Sequence, residues 1–236
     1  MASEHIVKSY DEELARLNAW ISEMGGLAEA QLQMALAAVG RRDTELAEQV
    51  ISGDARVDKL EKDVAHQVVR LLALRQPMAI DLRAIVSALK ISSDIERIAD
   101  YAANLAKRSL VLSQMQPMRT TGGIERLGRL VLGMLSDVFD AFARNDVGKA
   151  RAVWLRDEEV DDMYTSLFRE LLTYMMEDPR NITPCTHLLF MAKNIERIGD
   201  HVTNIAELIE FTVTGKEMTE ARPKGDKANY ARAEPA

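Results

Sequence analysis

The sequence predicts an all-α protein made of two tandem three-helix bundles related by a pseudo-twofold axis. Three observations predict it. Apolar residues recur at intervals of three and four through almost the whole chain, which is the helical period. Hydrophobic residues make up 47% of the 236, but aromatics only 5%, so Leu, Ile, Val, Ala and Met carry the core. Strands favour β-branched and aromatic residues, so this mixture suits packed helices. Lastly, the second half repeats the first at a spacing of about 100 residues.

Taken in order, the apolar pattern marks six helices, at about 4–40, 44–75, 79–113, 122–144, 147–177 and 183–214. Gly25-Gly26 is the place where the first would kink. Asp43 and Asp146 can cap the second and fifth, since a carboxylate accepts from the free N–H groups of a first turn. Pro77 and Pro179 interrupt the next junction of each half, because proline lacks an N–H and disfavours helix in the residue before it. Thr120-Thr121-Gly122-Gly123, after Pro117, reads as the linker between halves. The expected units are residues 1–117 and 118–215. The tail 216–236, rich in Lys, Glu, Arg, Gly and Pro, is expected to be disordered. Met24, Met34, Met175 and Met176 fall at core-like positions.

The repeat runs in register through caps, core and charged positions. Asp43, Val50, Asp54, Val57 and Asp58 recur as Asp146, Val153, Asp157, Val160 and Asp161, 103 residues on. Ile95-Glu96-Arg97-Ile98-Ala99-Asp100 recurs as Ile195-Glu196-Arg197-Ile198-Gly199-Asp200, 100 residues on, and Tyr101 becomes His201. A period this long is a duplicated three-helix unit, not a solenoid.

Composition excludes several functions. A net charge of −7 with few aromatics is the wrong balance for nucleic acid. One cysteine, Cys185, excludes an internal disulfide, and its position suits a buried structural thiol. The first residues hold no signal-peptide core, and no apolar run approaches the roughly 18–20 residues a membrane span needs. The expected location is therefore the cytoplasm, with any membrane role exercised by docking. There is no Gly-x-x-x-x-Gly-Lys, no Gly-x-Gly-x-x-Gly and no nucleophile elbow, so no enzyme is expected.

Glu96 and Asp100 lie one turn apart on one side of the third helix, with Ser93 and Asn104, opposite a stripe of Ile91, Ile95, Ile98, Ala102 and Leu105. Glu196 and Asp200 repeat the arrangement opposite Met191, Ile195, Ile198, Val202 and Ile205. Like charges four apart on a helix cost a few tenths of a kcal/mol, and a bound divalent cation would reverse that sign. Asp54 with Asp58, and Asp157 with Asp161, would complete such sites if the second and third helices of each half pack antiparallel. The other reading is a solvated face neutralised locally, with Arg97 within reach of Asp94 and Asp100, and Arg197 near Asp200.

The twice-occurring Glu-Arg-Ile-x-Asp motif resembles the duplicated signature of the PhoU family. Arg75-Gln76-Pro77-Met78-Ala79-Ile80-Asp81-Leu82-Arg83 resembles that family's Arg-Gln-Pro-x-x-x-Asp-Leu-Arg segment. The resemblance covers roughly residues 8–215. The second half departs from it at Asp178-Pro179-Arg180-Asn181-Ile182. The resemblance implies a PhoU-like pair of bundles, homodimeric association, and metal at the repeated acidic motifs: Glu96, Asp100, Glu196 and Asp200, with Asp58 and Asp161 as further ligands. The implied metal is iron or a divalent ion (Fe, Mn, Mg or Zn). It also implies a negative regulator of phosphate uptake and of the phosphate-starvation response, an adaptor between the phosphate ABC transporter's ATPase subunit and a sensor histidine kinase.

Two other classes compete. A ferritin-like di-iron protein would need Glu-x-x-His motifs on facing helices. The chain has none, and His66 follows Asp63 at that spacing only once. A purely structural helical scaffold would lack the repeated signature.

Overall fold

The computed structural model describes residues 2–117, 121–219 and 222, and no strand occurs among them. The chain forms α1 (Ala2–Arg41), α2 (Thr44–Arg75), α3 (Ile80–Ser113), α4 (Thr121–Arg144), α5 (Val147–Leu155), α6 (Asp157–Glu177) and α7 (Ile182–Thr214), with a 3₁₀ turn at Pro179–Asn181. Both expected caps form. Asp43 accepts from the Leu46 N–H at 3.0 Å and Asp146 from the Lys149 N–H at 2.9 Å. The residues just before them, Arg42 and Asn145, carry matching positive φ values of 56° and 50°, so the duplication extends to backbone conformation.

Helices α1, α2 and α3 pack on one another, as do α4, α5/α6 and α7. Between the units α1 packs on α4 and α3 packs on α7. Helices α1 and α3 thus each meet their own counterpart, as a pseudo-dyad between the units requires, while α2 and its counterpart α5/α6 lie on the outside. The expected pair of three-helix bundles is present, with a single continuous core running through both units.

The α3–α7 pair is antiparallel. Asp94 meets His201 and Asn204, whereas Arg108 lies 4.2 Å over the Phe190 ring and 3.4 Å from His187. Tyr101 and His201, equivalent by the repeat, face each other with ring centroids 5.8 Å apart. The α2–α3 and α6–α7 turns therefore sit at opposite ends of a molecule whose α3 alone spans about 50 Å.

Four expectations need correction. The fifth helix breaks at Arg156, whose N–H bonds back only three residues, to Val153 O at 3.0 Å. Gly122 and Gly123 are helical residues of α4, not linker. A Cβ on Gly123 would lie 2.5 Å from Leu167 Cδ1, so this glycine serves close helix packing. Gly25-Gly26 produces no interruption of α1; a Cβ on Gly25 would sit 2.6 Å from the Phe139 ring of α4, so it too permits close approach. Met176 is 79% exposed at the α6–α7 end, whereas Met24 is buried as expected. Of the tail, Lys216–Thr219 and Arg222 are described; the remainder of 216–236, and Met118–Thr120, lie outside the described residues.

The inter-unit hydrogen bonds make a prediction. Asp94 accepts from His201 Nδ1 at 2.7 Å and from Asn204 Nδ2 at 3.2 Å, and both Asp94 and His201 are mostly shielded from solvent. Asp94→Ala should cost about 1–3 kcal/mol in urea unfolding, since it strands two donors. The combined Asp94→Ala/His201→Ala variant should lose less than the two losses added. Strict additivity would show that this pair does not join the units.

Candidate functional site: two carboxylate clusters

The 3.6-residue period turns one side of α3 into the core and the other toward α2. Ile91, Ile95, Ile98, Ala102 and Leu105 are buried, and Met191, Ile195, Ile198, Val202 and Ile205 repeat this in α7. The carboxylates on the other side are not left in bulk water. Burial is the main cause that raises the Glu96 carboxyl above its ordinary value; Asp100, Asp58 and Glu61 add to it and Arg97 opposes it. Asp54 is likewise raised, first by burial, then by Asp100 and Asp58, against Lys107. Helix α2 thus brings Asp54, Asp58 and Glu61 to Glu96 and Asp100, as the antiparallel hairpin requires.

The second unit gathers the equivalent residues. Burial raises Glu196 most; the hydrogen bond from Lys193 (2.6 Å) opposes it, and Asp200 and Asp161 add to it. Asp157 is 3% exposed, and its carboxyl is pushed up from 3.8 to about 7 by burial, then by Asp200, Asp161 and Glu196, with Arg222 pulling the other way.

All six sequence-predicted site residues therefore fall into two clusters: Asp58, Glu96 and Asp100; Asp161, Glu196 and Asp200. Asp54 and Asp157, whose facing the sequence left open, join them. Local neutralisation is also present but only partly as expected. Arg97 lies 3.6 Å from Glu96 and 3.9 Å from Asp100, whereas Asp94 is held by His201 and Asn204. Arg197 lies 5.7 Å over the Tyr101 ring, and Asp200 is held by Arg222 at 3.1 Å. Sequence reasoning missed Lys193, Glu61 and Arg222. The i,i+3 spacing of Lys193 and Glu196 was a usable signal; nothing local marks Arg222.

Several observations bear on a cation. The donors are hard carboxylate oxygens, the chemistry that iron and divalent ions prefer. One oxygen of Asp54 (Oδ1) and one of Glu196 (Oε2) are buried without a hydrogen-bond partner. Buried unpaired carboxylate oxygens are costly, and a cation would satisfy them. Among the described residues, no group of three or more His, Cys, Asp or Glu is gathered closely enough to hold a metal ion as it stands. The residues fit a cation in chemistry, and binding would have to draw them together. Cys185 is buried, and burial raises its thiol, so it takes no part.

The PhoU domain matches this chain twice, over residues 21–109 and 124–209. The phosphate-specific transport system accessory protein PhoU homolog of Caulobacter vibrioides is 56% identical over 225 residues, covering 95% of this chain and 98% of that one. The crystal structure of PhoU from Pseudomonas aeruginosa superposes with a TM-score of 0.86 at 39% identity, over 88% of this chain and all of that one. The phosphate transport system regulatory protein PhoU from Streptococcus pneumoniae does so with a TM-score of 0.83 at 31% identity, over 89% and 100% of the two chains. These are accessory and regulatory proteins, not enzymes. With both halves matched and the relatives covered nearly end to end, the chain belongs to the PhoU family.

Proposed function

We propose that this protein is an accessory of phosphate-specific transport that restrains phosphate uptake and the phosphate-starvation response. It does so as a cytoplasmic adaptor between the transporter's ATPase subunit and the sensor histidine kinase, and it works as a homodimer. The observation that carries this reading is the match over 95% of the chain to a phosphate-specific transport system accessory protein. No helix among the described residues is long and apolar enough to cross a membrane, which fits action by docking. The shape supports an adaptor. Large apolar side chains stand exposed at both ends, Leu74, Met78 and Ile80 at one and Met176 and Ile182 at the other. Exposed apolar patches of this kind mark contact surfaces.

The repeated carboxylates would hold iron or a divalent cation, through Glu96, Asp100 and Asp58 in the first unit and Glu196, Asp200 and Asp161 in the second. A bound cation would supply positive charge against the mutual repulsion of these groups. The chain's own part is to hold the carboxylates on rigid helices and to shield them partly from water.

The test is a phosphate-responsive reporter in a strain lacking the gene. Loss of the gene should raise reporter output in high phosphate. The intact gene should restore repression, and Glu96→Lys/Asp100→Lys should not, although the variant folds. Unchanged output on loss of the gene would refute the regulatory reading. Metal content separates the second claim: protein purified without chelator should carry metal, and the variant with Glu96, Asp100, Glu196 and Asp200 all changed to Ala should carry none. Equal content in both would remove these residues as ligands.

A further inference from the structure

Among the charges at which the symmetry of the two clusters breaks, one is reversed in sign. Lys107 of the first unit, whose charge acts on Asp54, corresponds to Glu207 in the second, 100 residues on. The second unit thus has an extra acid where the first has a base, close to the buried Asp157. The missing cation comes from outside the helices. Arg222 lies eight residues beyond the end of α7 at Thr214, and its guanidinium is set into this corner.

The seat is densely built. Nη1 donates to Asp200 Oδ1 at 3.1 Å, and Nη2 to Asn204 Oδ1 at 2.7 Å and to the Asp200 carbonyl at 3.3 Å. Nε lies 3.7 Å from Asp157 Oδ2, and Nη2 lies 3.5 Å from Glu207 Oε1. The side chain is only 19% exposed. Glu207 is itself anchored, because Trp154 Nε1 donates to Oε1 at 2.9 Å. An exposed pair orders a long side chain weakly. Here three acids and an amide on α6 and α7 match the planar fork of a guanidinium, which an ammonium would not fill. A cavity of about 620 Å³ between α3 and α7 shares Asn204 and Glu207 with the seat and adds Ser93, Asp94 and Phe211 to its walls, so the seat has room beside it.

We propose that this corner is an arginine-binding site of the second unit, occupied in cis by Arg222 and able to take another arginine's guanidinium when Arg222 is absent. The ligand class is a guanidinium, no metal is needed to hold it, and the two units are chemically unlike, with Lys107 serving the first and an exchangeable arginine the second.

Trp154, tied to the seat through Glu207, reports its occupancy. In full-length protein carrying Trp20→Phe, Trp154 is the remaining tryptophan of the two. Arg222→Ala should shift its emission to the red and raise acrylamide quenching roughly twofold, since a covering side chain is lost. N-acetyl-arginine amide should reverse both changes saturably in Arg222→Ala. The lysine analogue should not, and Arg222→Lys should stay close to the alanine variant. Adding Asn204→Ala to Arg222→Ala should abolish the arginine response. Emission and quenching unchanged by Arg222→Ala, equal reversal by arginine and lysine, or a response that survives Asn204→Ala would each overturn the proposal.

Discussion

Truncating Ile95 or Ile195 to Ala should each lower the unfolding free energy by about 2–5 kcal/mol, and each loss should appear in one transition that melts both units together. Both side chains are fully buried, and they occupy equivalent positions in α3 and α7. These two helices pack against each other across the pseudo-dyad, inside a core that does not divide at the unit boundary. A cavity in either helix therefore weakens the surface on which the other unit rests. Two-domain chains with separable cores unfold in separate steps; a shared core removes that option. The tryptophans allow a direct check, since Trp20 lies in α1 of the first unit and Trp154 in α5 of the second. Urea transitions followed by each tryptophan, with the other changed to Phe, should coincide in the parent and move together in both Ile→Ala variants. Two separated midpoints, with only the mutated unit shifted, would show that the units are independent domains.

What the sequence made legible here is what local chemistry governs. Asp43 and Asp146 cap because a carboxylate three residues before a free N–H needs no distant partner. The carboxylate side of α3 and α7 followed from period alone, and the buried isoleucines opposite it agree. The family was readable because motif, repeat and length coincided. Features set by distant contacts were not legible. Gly122-Gly123 looks like a linker, yet the approach of Leu167 makes it part of a helix. The run 147–177 looks continuous, yet it breaks at Arg156, next to the buried Asp157. The partners of Asp94 and Asp200 lie 107 and 22 residues away, so spacing within one helix pointed to Arg97 and Arg197 instead. The pairing of α3 with α7 in antiparallel sense, which sends the two turns to opposite ends, has no local signal either.

Above pH 7 the Asp157→Asn protein should be more stable than the parent, by about 2–4 kcal/mol, and the advantage should vanish as the pH falls toward 4. The sign follows from the direction of the shift. The folded-state carboxyl titrates near 7, while its ordinary value is 3.8. Between those values the folded protein holds a proton that the unfolded chain releases. The stability tied to this proton is fully present below 3.8 and is lost as the pH rises through 7. Above 7 the ionised group sits in a site only 3% exposed, beside Asp200, Asp161 and Glu196, and Arg222 offsets only part of that cost. Asparagine keeps the shape and carries no charge, so it retains at high pH what the parent has only in acid. Chemical unfolding at pH 5, 7 and 8.5 reads the difference directly. A variant less stable than the parent at pH 8.5 would mean that Arg222 outweighs burial and holds Asp157 ionised. The same comparison in the Arg222→Ala background should widen the advantage of asparagine, because the one opposing charge has gone; a narrower gap there would show that Arg222 is not what partly relieves the buried acid.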